Sequence, residues 1–97
     1  MRIPSARKAV ILRSEGRCEN PLCAGQPVDI SDMGDPLLDV DHVDQLAAGG
    51  DDHPAQMIAL CPNCHRLKTY GRTRHELIAV LRETARERHA APFASTP

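Results

Sequence analysis

The chain is 97 residues long, with 41% apolar residues but one Tyr, one Phe and no Trp, so it holds one small domain at most and few large side chains for a core. Domains with that shortfall rely on disulfides or a metal, and four cysteines make either available. The net charge of −1 does not exclude a nucleic-acid partner, because the charges are segregated: five basic and one acidic side chain in 1–17, nine acidic and none basic in 18–60, seven basic and three acidic in 61–97.

In chain order, Ser5–Glu15 is expected to form a short helix with Val10, Ile11 and Leu12 on its apolar side, stopped by Gly16. Cys18–Cys23 makes a tight turn around Pro21, and an acidic loop punctuated by Gly25, Pro27, Gly34 and Pro36 follows. Leu37–Val43 is a candidate strand, Gly49-Gly50-Asp51-Asp52 a turn, and Gln56–Leu60 a second strand running into Cys61. A helix is expected from Cys64 to about Gly71. The clearest helix spans Thr73 to about Arg88, opened by Thr73 and Glu76 in capping-box spacing and striped by Leu77, Ile78, Val80, Leu81 and Ala85. Residues 90–97 lack periodicity and are expected to be a disordered tail.

Cys18-x4-Cys23 and Cys61-x2-Cys64 are two close pairs separated by a long loop. Tetrahedral zinc takes four thiolates presented two by two from such turns. Met1–Arg17 is charged, interrupted by Pro4 and without a signal-peptide core, and no stretch approaches the ~20 apolar residues of a membrane span. A cytoplasmic location without membrane association is therefore expected, where thiols stay reduced and zinc is favoured over two disulfides. Cys61-Pro62-Asn63-Cys64-His65 also fits the pattern of covalent haem attachment, which leaves Cys18 and Cys23 without a role.

With zinc on the cysteines, His65 stands beside a fixed ligand in the first turn of a helix. Asp41 and His42 place a carboxylate and an imidazole side by side on the first candidate strand; they can share a site only where the strand bulges or ends, because neighbours on a regular strand face opposite ways. Together, Asp41-His42, Gly49-Gly50-Asp51, Leu60-Cys61-Pro62-Asn63-Cys64-His65 and Lys68, with the upstream pair Cys18 and Cys23, resemble the zinc-binding branch of the HNH endonuclease family. Within that family the chain is most similar to the C-terminal nuclease module of McrA-like restriction enzymes, which act on modified DNA.

The resemblance covers about residues 5–72 and implies an α+β fold, a small ββα-metal domain with a four-cysteine structural zinc and flanking helices. Residues 1–89 would form that single domain, with 73–88 as its C-terminal helix. The implied activity is metal-dependent hydrolysis of DNA phosphodiesters. His42 would be the general base, and Asp41 and His65 would hold one catalytic ion, Mg²⁺, Mn²⁺ or Ni²⁺. Lys68, Arg66 and Arg72 are candidate phosphate contacts. His53, His75 and His89 are expected at the surface.

One position departs from the family pattern. Gln56 stands five residues before Cys61, where the family has an Asn that orients the base; it offers the same amide on one more methylene. That leaves a weak or inactive zinc-stapled DNA-binding module as the alternative function. No base-reading element is recognisable, so target choice is expected from a separate recognition domain or protein, and double-strand cutting by a single site favours a homodimer.

Overall fold

The structure, a computed structural model, describes residues 4–25, 30–43 and 53–94. The Gly49–Asp52 turn and part of the acidic loop expected from the sequence lie outside these residues. Helix α1 spans Pro4–Ser14, strand β1 Asp39–His42, a 3-10 turn Pro54–Gln56, strand β2 Met57–Leu60, helix α2 Pro62–Tyr70 and helix α3 Arg74–Ala94. The fold is a small α+β domain, a two-stranded sheet held among helices.

The strands pair antiparallel with Asp39 opposite Leu60 and His42 opposite Met57. β2 is buried along its whole length, and with Val10, Val40, Leu81 and Ala85 it forms the centre of the core. In α1, Ala6, Val10 and Ser14 make the buried stripe at four-residue spacing. Of the apolar side expected there, Ile11 is half-buried and Leu12 exposed.

Two helix boundaries differ from the sequence expectation. α2 starts at Pro62 rather than Cys64, because Pro at the first helical position needs no N–H partner and Cys61 already accepts the first helical bond from the His65 N–H at 2.9 Å. α3 continues to Ala94, into the segment 90–97 for which disorder is expected. Between the two helices, Gly71 is required: a Cβ there would stand 2.5 Å from the Leu67 carbonyl oxygen.

The outer edge of β2 has no strand beside it among the described residues. Instead, Glu19 accepts the Ala59 N–H at 2.9 Å and gives its own N–H to the Ala59 carbonyl at 2.8 Å. Arg13 holds Glu19 through two nitrogens, at 2.7 and 2.8 Å, and donates to the Pro54 and Met57 carbonyls, both at 2.8 Å. Both side chains are almost fully buried. A charged clasp thus takes the place of a third strand and joins α1, the first cysteine turn and the hairpin.

Candidate active site and metal centre

The four cysteines converge as their spacing predicts. Their sulfurs lie within 4.8 Å of one another, and none is in a disulfide. Tetrahedral zinc with bonds of about 2.3 Å separates its ligand sulfurs by about 3.8 Å. Cys23 and Cys61 stand 3.8 Å apart, so the donor set fits such an ion without rearrangement of this edge. Burial raises the Cys18 and Cys64 thiols above their ordinary range. Cys61 is also buried, but hydrogen bonding from the Cys64 backbone and from neighbouring cysteines brings it lower. A metal bound here must therefore displace protons from at least the two raised thiols.

Asn20 supports this centre and was not singled out from the sequence. It is buried, donates to the Cys64 sulfur at 3.3 Å and accepts the Leu22 N–H at 3.0 Å. The available signal was local: an Asn two residues after a metal-binding Cys can close a turn with its own side chain.

The cysteine centre fixes the start of α2, and α2 delivers the second constellation. His65 follows Cys64 and faces β1, where strand alternation puts Asp39 and Asp41 on one face. His65 Nε2 lies 3.2 Å from Asp41 Oδ2, and His65 Nδ1 is hydrogen-bonded to Asp39 Oδ2 at 2.9 Å. One turn on, Lys68 brings its Nζ within 3.0 Å of Asp41 Oδ2. The other Asp41 oxygen accepts the His42 N–H at 2.9 Å. Asp39, Asp41, Pro62, His65, Arg66, Thr69 and Tyr70 line an open cleft of about 640 Å³.

Asp41 and His65 thus come together as expected, with Asp39 as an unanticipated third member. Lys68 is buried at 6% exposure and bound to Asp41, rather than standing in solvent as a phosphate contact would. Arg66 is exposed at the cleft, its guanidinium 4.9 Å from the centre of the Tyr70 ring, while Arg72 is exposed in the turn before α3. His42 closes β1 half-buried and is not among the cleft-lining residues. Gln56 has an exposed side chain, and its carbonyl accepts the Val43 N–H at 2.9 Å.

Both constellations fall within residues 18–71, the span matched by the family model for HNH endonucleases. The chain belongs to the HNH endonuclease family. As an HNH domain it is 40% identical over 81 residues to the type IV methyl-directed restriction enzyme EcoKMcrA of Escherichia coli (strain K12), an alignment covering 84% of this chain and 28% of that protein. It also superimposes on the structure of the type IV phosphorothioation-dependent restriction endonuclease ScoMcrA with a TM-score of 0.86 and 56% identity, over 92% of this chain and 17% of that one. The HNH domain spans only a minor part of either relative. Among its described residues, no helix is long and apolar enough to cross a membrane.

Proposed function

We propose that this HNH domain is the DNA-cutting module of a modification-dependent restriction endonuclease. The observation that carries this reading is the approach of Asp41 and His65 to 3.2 Å inside an open cleft, on elements anchored by the cysteine centre. Two ligands at right angles on an ion with bonds of about 2.1 Å stand about 3.0 Å apart, so this oxygen-nitrogen pair suits one Mg²⁺, Mn²⁺ or Ni²⁺. When bound, that ion supplies positive charge against the leaving 3′-oxygen. Zn²⁺ is the ion we assign to the four cysteines.

The remaining roles fall to the chain's own groups. His42 takes the proton from the attacking water, a task for a neutral imidazole near pH 7. Its backbone is tied to Asp41 by the hydrogen bond to Oδ1, so base and ligand are positioned together at the end of β1. Lys68 holds Asp41 in place and offsets its charge. Arg66, exposed at the cleft, is better placed for a DNA phosphate than Arg72, which is exposed in the turn before α3.

The two relatives' names attach different DNA modifications, methylation and phosphorothioation, to proteins that share this domain. We therefore assign modification choice to a separate recognition domain or protein, and cutting of both strands to a homodimer. A reducing, cytoplasmic setting suits four cysteines outside disulfides.

The alternative is a DNA-binding module with a weak or inactive site. The exposed Gln56 side chain and a cleft lining that does not include His42 favour it. A plasmid-nicking assay with Mg²⁺, Mn²⁺ or Ni²⁺ separates the two. Cutting by the wild type that His42→Ala and His65→Ala each lower at least about 100-fold supports the nuclease. DNA binding without cutting supports the alternative, and cutting retained by His42→Ala refutes the base assignment.

A further inference from the structure

We propose that Asp39 is a positioning residue that fixes the proton of His65 on Nδ1 and so turns the Nε2 lone pair toward Asp41. The proposal rests on the reading of Asp41 and His65 as ligands of one ion, and adds a residue to which the sequence pattern gave no role.

Both nitrogens of the His65 ring face a carboxylate, but Asp41 Oδ2 already accepts from Lys68 Nζ at 3.0 Å. On one side Nδ1 and Asp39 Oδ2 form a hydrogen bond at 2.9 Å; on the other Nε2 approaches Asp41 Oδ2 at 3.2 Å. A neutral imidazole carries one proton, and a carboxylate can only accept. Proton on Nδ1 satisfies Asp39 over the shorter contact and turns the Nε2 lone pair toward Asp41 Oδ2, whose charge Lys68 offsets until an ion takes that place; this is the form a metal ligand requires. Proton on Nε2 would leave Asp39 facing a lone pair and present N–H where the ion belongs. Ligand histidines are commonly held in this way by a carboxylate on the far nitrogen, and loss of that partner weakens metal binding by about 10- to 100-fold.

Position explains why Asp39 supports the ligand instead of joining it. The two ring nitrogens point away from each other, so a carboxylate bound at Nδ1 stands on the wrong side of the ring to share an ion at Nε2. Asp39 is also half-exposed, whereas Asp41 is buried and engaged by Lys68 and the His42 backbone. The ladder supplies the spacing: Asp39 and Asp41 are two residues apart on one strand face, and the ring of His65 bridges them.

The test uses the zinc-loaded domain before addition of the second ion. Long-range ¹H–¹⁵N spectra of the His65 ring at pH 7.5 should show the Nδ1–H form in the wild type and a shift toward Nε2–H in Asp39→Ala. Asp39→Asn, whose amide oxygen still accepts from Nδ1, should largely restore it. Calorimetric titration with Mn²⁺ alone should show binding weakened about 10- to 100-fold in Asp39→Ala and much less in Asp39→Asn. Nδ1–H retained in Asp39→Ala, with Mn²⁺ affinity within twofold of wild type, overturns the proposal. Equal abolition of binding by both Asp39 variants would make Asp39 a ligand and also overturns it. Undiminished Mn²⁺ binding by His65→Ala would instead refute the underlying assignment of the ligand pair, which keeps the two failures apart.

Discussion

The clasp of Arg13 and Glu19 on the outer edge of β2 makes a prediction that separates it from an ordinary buried ion pair. Glu19→Leu removes the acceptor of two Arg13 bonds and of the Ala59 N–H, leaving a buried guanidinium without its counter-charge. Breaking one partner of a buried pair costs about 3–5 kcal/mol. At roughly 4–8 °C per kcal/mol for a domain of this size, the melting temperature should fall by about 12 °C or more. The double variant Arg13→Met/Glu19→Leu decides the mechanism. A simple ion pair replaced by apolar residues is often neutral or even stabilising. Here the Ala59 N–H and the Pro54 and Met57 carbonyls would each lose a partner. At about 1 kcal/mol or more apiece, a deficit of about 3 kcal/mol should persist. Urea unfolding at fixed free zinc, with unchanged slope, measures it. A double variant as stable as the wild type would refute the claim that the clasp replaces a strand.

Other perturbations have equally definite outcomes. Chelation of the cysteine-bound metal should abolish helical circular dichroism together with nuclease activity, and zinc should restore both. Gly71→Ala should cost on the order of 1–3 kcal/mol in urea unfolding, because its Cβ would collide with the Leu67 carbonyl. His89 is held below its ordinary value of 6.5 by partial burial, with smaller contributions from His53, whose ring packs edge-on at 5.3 Å, and from Arg13. The unfolded chain therefore takes up the proton first as pH falls, and stability contributed by His89 is present above pH 6.5 and lost below it. His89→Gln should narrow the difference between urea midpoints measured at pH 7.5 and pH 5.5.

What the sequence showed depended on how local the governing physics is. The cysteine centre was legible because short turns with Pro21 and Pro62 declare the ligand geometry within a few residues. His65 was legible through its neighbour Cys64. Asp39 was visible only as the same-face partner of Asp41, and nothing in the sequence says which ring nitrogen it meets. Lys68 lies three residues after His65 on α2, which places both on one helix face, yet a Lys near a nuclease site looks like a phosphate contact until its burial is known. The clasp was the least legible feature. Arg13 and Glu19 belong to segments that read as a short helix and a cysteine turn, and they meet because the chain reverses through Glu15 and Gly16, at φ of 56° and 77°. Only Gly16 announces that reversal, since left-handed backbone is unusual for Glu.

The same anchors that replace a large core also set the dimensions of the candidate cutting site. Asp39 and Asp41 are held by pairing to β2, whose other edge is closed by Glu19 and Arg13. His65 and Lys68 are carried by α2, whose first turn contains Cys64 and is preceded by Cys61. The 3.2 Å approach of His65 to Asp41 is thus framed by two clusters, one of cysteines and one of charge, meeting at the short segment 59–64. Glu19 lies between Cys18 and Asn20, so the clasp and the metal centre share a single turn of chain. Loosening either should therefore be felt at the proposed ligand pair, Asp41 and His65, before the domain unfolds. A mild clasp variant such as Glu19→Gln, studied where it remains folded, should lose Mn²⁺ affinity although the hydrogen bonds of Glu19 go to Arg13 and Ala59. Unchanged affinity in a measurably destabilised protein would show that β1 and α2 hold their spacing without the clasp.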